Sequence, residues 1–311
     1  MAKARVYIDG QSGTTGLQIF ERIGSRGDLE LMRIDEDKRH NVDERRKFLN
    51  AADVVFLCLP DDAAREAVSL VENPDVCVID ASTAHRVAPG WTYGFPELNA
   101  SQRAAIATSK RIANPGCHAT GLISVTAPLV QAGLLPDDYP LTCYSLTGYS
   151  GGGKRMIADY EAKDRPVTLD APGIYGLTLA HKHMPEMQQV CGLVHAPVFM
   201  PVVDDYYKGM ATSIMLHNRL LAGSPSARDV QSCLAEHYAG QRFVRVLPFG
   251  SNAPVLYANE LAGTNELHIV VCGNDERTTV TALFDNLGKG ASGAAVQNMN
   301  IALGLDEATG L

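Results

Sequence analysis

The first third of the chain alternates two kinds of hydrophobic pattern. Arg5–Asp9, Leu29–Ile34, Val54–Leu59 and Val76–Asp80 are short apolar runs of strand character. Between them Thr14–Ile23, with Leu17 and Phe20 at helical spacing, Glu44–Ala52 and Ala63–Val71 read as helices. Val54–Leu59 (VVFLCL) is almost wholly apolar, as expected of a strand covered on both faces. This β-α-β-α-β-α-β order predicts an open parallel sheet with helices on both sides. After Cys117 the texture changes. Leu141–Leu146, Val198–Val203, Met210–Leu216, Phe243–Leu247, Leu267–Val271 and Thr278–Phe284 are strand-like, and Pro225–Tyr238 is the clearest helix. That run predicts a second domain on a mostly antiparallel or mixed sheet. Ala291–Leu303 reads as a final helix. The fold class is thus α/β, with a parallel-sheet domain followed by a second α/β domain.

Composition narrows the function classes. The 311 residues suit one large or two ordinary domains, and 46% hydrophobic with 20% charged residues reads as globular. Net charge is −8 and no Arg/Lys stripe stands out, so no nucleic-acid partner is expected. No apolar run approaches the roughly 20 residues that cross a bilayer, so no membrane partner is expected either. Met1–Gly10 is too short before its first glycine turn for a secretory signal. The 7 cysteines are odd in number, scattered and without a CxxC pair. This argues against a disulfide framework or zinc ribbon and for a reducing cytoplasm. No repeat or low-complexity segment is present.

Five motifs carry candidate chemistry. Gly10-Gln11-Ser12-Gly13-Thr14-Thr15-Gly16 follows the first strand and opens the first helix. Glycines there allow a tight turn close to a phosphate, and the helix N-terminus supplies free N–H groups. Ser12 stands where the usual dinucleotide fingerprint has glycine. Asp35, beyond the second strand, suits a ribose 2′-OH, whereas Arg33, Lys38 and Arg39 suit a 2′-phosphate; the residues leave both open. In Asn114-Pro115-Gly116-Cys117-His118-Ala119-Thr120-Gly121 a strand runs through a Pro-Gly turn into an apolar helix. Cys117 at that helix N-terminus would be stabilised as thiolate, the form that attacks acyl carbon; a buried structural cysteine is the alternative.

His181-Lys182-His183-Met184-Pro185-Glu186 offers proton donors and acceptors. In an extended segment its histidines would share a face. No metal-ligand spacing accompanies them, so no metal is expected. Ser150-Gly151-Gly152-Gly153-Lys154 reads equally as an anion nest or as a glycine hinge. Asp80-Ala81-Ser82-Thr83-Ala84-His85-Arg86 lies beyond the fourth strand, at the ligand-binding edge of such sheets, with Arg86 able to fork onto phosphate or carboxylate.

Together these segments resemble the N-acetyl-gamma-glutamyl-phosphate reductases of arginine biosynthesis, in their short (type 2) form. The resemblance covers nearly the whole chain: Gly10–Gly16, Cys58–Val68, Asp80–Arg86, Gly94–Asn99, Asn114–Gly121, Gly148–Lys154, His181–Met187 and Asp285–Asn300. A cysteine in a PGC turn is shared with aspartate-semialdehyde dehydrogenase; the SGGGK, HKH and DNLGKG…QNMN segments favour the arginine-pathway family.

The resemblance implies a Rossmann-type NADP domain over residues 1–117, rejoined by a C-terminal helix at 290–311. It implies a substrate and oligomerisation domain over 118–289 related to that of glyceraldehyde-3-phosphate dehydrogenase. The implied cofactor is NADPH/NADP, the substrate a small-molecule acyl phosphate, and the assembly a homodimer or homotetramer. Cys117 matches the nucleophile and His183 the acid/base, with His181 the weaker candidate, otherwise near the substrate. Gly10, Ser12, Gly13, Thr14, Thr15 and Gly16 match the dinucleotide loop, and Ser82 and Asn286 match positions near the nicotinamide. Arg86, Ser150, Gly151 and Lys154 match positions near the substrate. The implied reaction takes N-acetylglutamyl phosphate through a thioester to the semialdehyde. The nearest rival is the same chemistry on aspartyl phosphate. A non-catalytic NADP-binding regulator is a rival of another class, and a cysteine hydrolase would leave the N-terminal third unexplained.

Overall fold

A computed structural model describes residues 3–311, which divide into two compact units. The first comprises residues up to Pro96, Ser101–Pro115 and Ala291–Leu311. Its elements run β1 (Ala4–Asp9), α1 (Thr14–Ile23), β2 (Leu29–Met32), α2 (Val42–Ala51), β3 (Val54–Leu57), α3 (Asp61–Ser69), β4 (Cys77–Asp80), β5 (Thr92–Tyr93), α4 (Gln102–Thr108) and β6 (Arg111–Ala113). The strands pair in parallel in the order β2-β1-β3-β4-β6-β5. Alternation along each strand divides the apolar residues between two cores. Val6, Ile8, Val54, Phe56 and Ile79 face one side with Ile19 and Ile23 of α1. Tyr7, Val55, Leu57 and Val78 face the other with Leu49 of α2 and Ala64 and Ala67 of α3. The buried stripe of α1 is Gly16, Ile19 and Ile23, while Leu17 is 43% exposed. Leu17 faces out, because the 3.6-residue period places Ile19 and Ile23, four apart, on the sheet.

The second unit is Glu97–Ala100 with Gly116–Gly290. It holds α5 (Cys117–Gln131), β7 (Thr142–Gly148), α6 (Gly153–Glu161), β8 (Gly173–Ile174), α7 (Met184–Cys191), β9 (Val198–Asp204), β10 (Met210–His217), α8 (Ala227–His237), β11 (Val244–Val246), β12 (Leu267–Gly273) and β13 (Arg277–Phe284). The sheet order is β11-β12-β13-β10-β7-β9-β8. The β11/β12 and β7/β9 pairs are parallel and the rest antiparallel, so the sheet is mixed. Helix α5 packs on β10 and β13 and is buried from His118 to Leu129. Away from α5, part of the sheet is open: Val198, Met200 and Met215 are 55%, 41% and 40% exposed.

The last helix, α9 (Gly293–Ala302), belongs to the first unit, where Ala295, Val296 and Met299 enter the Val6/Phe56 core. Asn298 Nδ2 donates to Gly94 O at 2.9 Å and to Asn114 Oδ1 at 3.2 Å. The QNMN stretch is thus buried by amide bonds as well as apolar packing. Helices α4, α6 and α7 were not anticipated from the pattern: each is 7–9 residues long, too short to show a clear period.

Within the second unit, Lys289 Nζ lies 2.8 Å from both carboxylate oxygens of Glu97, and neither side chain has any exposed surface. Two of the matched stretches meet in this pair. Removing one partner strands a buried charge, so Lys289→Met lowers folding stability by about 3–5 kcal/mol. Urea unfolding of the variant beside the wild type measures it, and a loss below about 1 kcal/mol contradicts the account.

Candidate active site

In the first unit the glycine loop runs from β1 into α1. Gly10 has φ +88°, and a Cβ there would lie 2.3 Å from Cys58 O. A Cβ on Gly16 would lie 2.5 Å from Gly10 O. Both positions accept only glycine, and the turn that results brings the backbone to the mouth of the helix. Gly13 is the N-cap and supplies no side-chain bond, so no side chain caps the first-turn N–H groups of Thr14, Thr15 and Gly16. Ser12 is exposed on the turn. These residues fit a dinucleotide pyrophosphate by backbone amides and helix dipole.

Beyond β2, Asp35 pairs with Lys38 at 2.9 Å, Arg39 pairs with Glu36 at 3.2 Å, and the Arg33 guanidinium sits 4.8 Å above the Phe20 ring. The one acid that would suit a ribose hydroxyl therefore has a cation on it already.

At the carboxyl end of β4, Asp80 is fully buried and organises the turn after it. Its carboxylate accepts from Ser82 N at 2.9 Å and Ser82 Oγ at 2.7 Å, and meets His85 Nδ1 at 2.6 Å. His85 stacks on Trp91 at 4.1 Å. Arg86 donates through Nε to Asn114 O at 3.0 Å and through Nη2 to Ala81 O at 3.1 Å. Its guanidinium plane is thereby fixed, and the ends of β4 and β6 are braced.

In the second unit Cys117 is the first residue of α5. Gly116 is the N-cap, with extended backbone and no side chain of its own, so the partly exposed Cys117 stands at the positive end of the helix dipole. Gly116 N donates to the buried Glu186 carboxylate at 3.2 Å, anchoring the turn just before the sulfur. A Cβ built on Gly290 would stand 3.1 Å from Cys117 Cβ, so the DNLGKG turn closes one side of the cysteine.

The histidine segment is not extended. His183 has helical backbone and is the N-cap of α7, whose first residues are Met184 and Pro185. The proline at the helix start favours that turn. The rings of His181 and His183 lie 4.7 Å apart in an edge arrangement, and His118 is 5.5 Å from the first and 5.9 Å from the second. His183 is 5% exposed, and its backbone N–H donates to His181 Nδ1 at 3.2 Å.

Sequence reasoning gave no role to His118, Tyr175 or Glu186. His118 sits beside the cysteine in the motif, which is the one signal it offered. Tyr175 lies outside every motif. His118 is buried, meets Ser145 Oγ at 2.8 Å and Tyr175 Oη at 2.6 Å, and is pushed down to about 3 by burial and by nearby His181. Burial and the neighbouring Cys117 charge push the Tyr175 phenol well up.

The Ser-Gly-Gly-Gly-Lys stretch forms a tight turn, Tyr149–Gly152, and Gly153 then opens α6. Asn286 Nδ2 donates to the buried Ser150 Oγ at 3.0 Å, while its Oδ1 accepts from Gly209 N at 2.8 Å. Asn286 and Ser150, expected at different ligands, are thus direct partners. Gly151 and Lys154 are exposed, and Lys154 makes no hydrogen bond or ion pair among the described residues. His195 is exposed on the loop before β9.

Comparison with known proteins agrees with this organisation. Residues 11–106 match the family model "Semialdehyde dehydrogenase, NAD binding domain", and residues 117–286 match "Semialdehyde dehydrogenase, dimerisation domain". The chain is 50% identical over 311 residues to N-acetyl-gamma-glutamyl-phosphate reductase 2 of Pseudomonas putida, covering 98% of each. It is 48% identical over 322 residues to the enzyme of the same name from a Nostoc species, covering 100% of each. Among solved structures it is similar to aspartate semialdehyde dehydrogenase II of Vibrio cholerae, with TM-score 0.70 and 15% identity over 97% of this chain and 99% of that one. A Candida albicans aspartate semialdehyde dehydrogenase solved with NADP gives TM-score 0.68 at 16% identity over 96% of this chain and 98% of that one. At that identity these structures show a shared fold. No helix among the described residues is long and apolar enough to cross a membrane.

Proposed function

The chain belongs to the N-acetyl-gamma-glutamyl-phosphate reductases, and from that membership we propose that it reduces N-acetylglutamyl 5-phosphate to the 5-semialdehyde through a thioester on Cys117. The observation that carries the reading is the partly exposed Cys117 as first residue of a helix whose N-cap is a glycine, in the same unit as His181 and His183. The thiolate attacks the acyl carbon; the S–C bond forms, the C–O bond to phosphorus breaks, and inorganic phosphate leaves. Backbone amides at the start of α5 receive the oxyanion. When bound, NADPH supplies the hydride that takes the thioester to the aldehyde level. His183 gives a proton to the resulting oxygen and recovers it as the C–S bond breaks, which returns the thiolate. Arg86 and Lys154 bind the anionic groups of the substrate, with Ser150, Gly151 and His181 around it.

The loop Gly10–Gly16 holds the dinucleotide phosphates, with Ser82 and Asn286 toward the nicotinamide. Preference for the 2′-phosphate is supported by Arg33, Lys38 and Arg39 beside an Asp35 that already carries Lys38. The open sheet face with Val198, Met200 and Met215 lies within the stretch matched as a dimerisation domain, and supports a homodimer or homotetramer built on it. Seven free cysteines fit a cytoplasmic enzyme.

The reverse assay tests the reading. With NADP and inorganic phosphate, N-acetylglutamate semialdehyde drives NADPH formation at least about 10²-fold more efficiently than aspartate semialdehyde. The inverted preference would assign the aspartyl reaction, and no phosphate-dependent signal with either would leave a cofactor-binding protein without this chemistry.

A further inference from the structure

A chain of hydrogen bonds runs from the buried sheet to the edge of the cysteine site. Thr212 Oγ1 and Ser145 Oγ are 2.8 Å apart, Ser145 Oγ is 2.8 Å from His118 Nδ1, and His118 Nε2 is 2.6 Å from Tyr175 Oη. Thr212 and Ser145 have no exposed surface and His118 has 2%, whereas Tyr175 is half-buried.

One direction lets every hydroxyl of this chain donate. Ser145 Oγ is the sole hydrogen-bond partner of the Thr212 hydroxyl among the described residues, so the Thr212 proton goes to Ser145. Ser145 then spends its one proton on His118 Nδ1. Burial and nearby His181 keep His118 neutral, with one N–H and one lone pair. With Nδ1 accepting, the N–H is on Nε2 and donates to Tyr175 Oη. The Tyr175 proton is the only one not taken up inside the chain. Its phenol lies in the field of Cys117, and its ring is 6.1 Å from that of His181.

We propose that Tyr175 is a further hydrogen-bond donor to the acyl carbonyl oxygen carried at Cys117, and that His118, Ser145 and Thr212 are positioning residues that fix the direction of its hydroxyl. This rests on Cys117 being the acyl-carrying nucleophile. Tyr175 forms and breaks no covalent bond. Its donor complements charge that grows on the oxygen as the carbonyl becomes tetrahedral.

The test uses full-length protein in the reverse assay, with Tyr175→Phe, His118→Phe, the double variant and His118→Gln. Tyr175→Phe loses about 10²-fold in kcat with KM for the semialdehyde little changed, and the ratio to wild type stays flat with pH. His118→Phe loses a similar factor. The double variant loses no more than the worse single one, because both break the same chain. His118→Gln accepts from Ser145 and donates to Tyr175 through one amide, and recovers most of what His118→Phe loses. Alkylation of Cys117 by iodoacetamide proceeds at the wild-type rate in Tyr175→Phe, which places the loss at the carbonyl oxygen rather than the sulfur. A kcat within threefold of wild type in Tyr175→Phe overturns the proposal, as do additive losses in the double variant. Either result leaves the thioester reading standing if Cys117→Ser is inactive. Turnover by Cys117→Ser would instead sink that reading, and this proposal with it.

Discussion

Cys117→Ser loses about 10⁴-fold or more in phosphate-dependent turnover, while NADPH binds with unchanged affinity. The hydroxyl replaces the thiol with little change in volume. At the start of α5 a thiol is assisted toward thiolate by the helix dipole, whereas a serine hydroxyl is far too weak an acid to ionise there. No acyl-enzyme forms, and the remaining groups have nothing to act on. Cofactor binding survives because the glycine loop belongs to the first compact unit and Cys117 to the second. Fluorescence titration with NADPH, thermal melting and the reverse assay on one preparation separate these effects. More than about 1% residual rate would show that the acyl group is not carried on this sulfur.

The second large effect separates two neighbouring histidines. His183→Asn loses about 10³-fold or more in kcat, and His181→Asn loses less than about 30-fold. Their rings are only 4.7 Å apart, yet their bonding differs. His181 Nδ1 accepts the backbone N–H of His183, so it closes the turn that opens α7. An asparagine oxygen can close the same turn, as Asx residues do. His183 is the buried member of the pair and caps α7 through its main chain. Asparagine can neither take nor return the proton there. A pH–rate profile of both variants, with melting temperatures alongside, measures the difference. Equal losses would leave the acid/base role shared between the two rings.

Parts of this site were legible in the sequence because the chemistry is local. A glycine loop between a strand and a helix, and a cysteine after Pro-Gly before an apolar helix, each carry their geometry within a few residues. Gly10 and Gly16 show why: their neighbours Cys58 and Gly10 leave no room for a side chain. The HKHMPE segment was readable as proton-transfer chemistry but not as a shape, since two histidines two apart suit either a strand or a turn. Pro185 decides for a helix start, and the edge-on arrangement of the rings follows. The helix Thr14–Ile23 stands with the bounds its spacing gave, and its buried stripe is Gly16, Ile19 and Ile23.

Other relations span distances the pattern cannot report. Glu97 and Lys289 form a bidentate pair with no exposed surface, although they are far apart in the chain. Asn286 and Ser150 read as belonging to different ligands, and the fold bonds them to each other. Tyr175 had no motif at all and gains its meaning from His118, Ser145 and Thr212.

By itself the sequence determined most of the strands and the longer helices, the two sheet types, and the glycine and Pro-Gly-Cys turns, because hydrophobic period and turn chemistry act over a few neighbouring residues. Only the tertiary structure decided which polar side chains are buried together, which partners stand at the two ring nitrogens of His118 and what Glu97 pairs with. Such pairings depend on which segments pack side by side, and a buried polar group takes whatever partner that packing brings within reach.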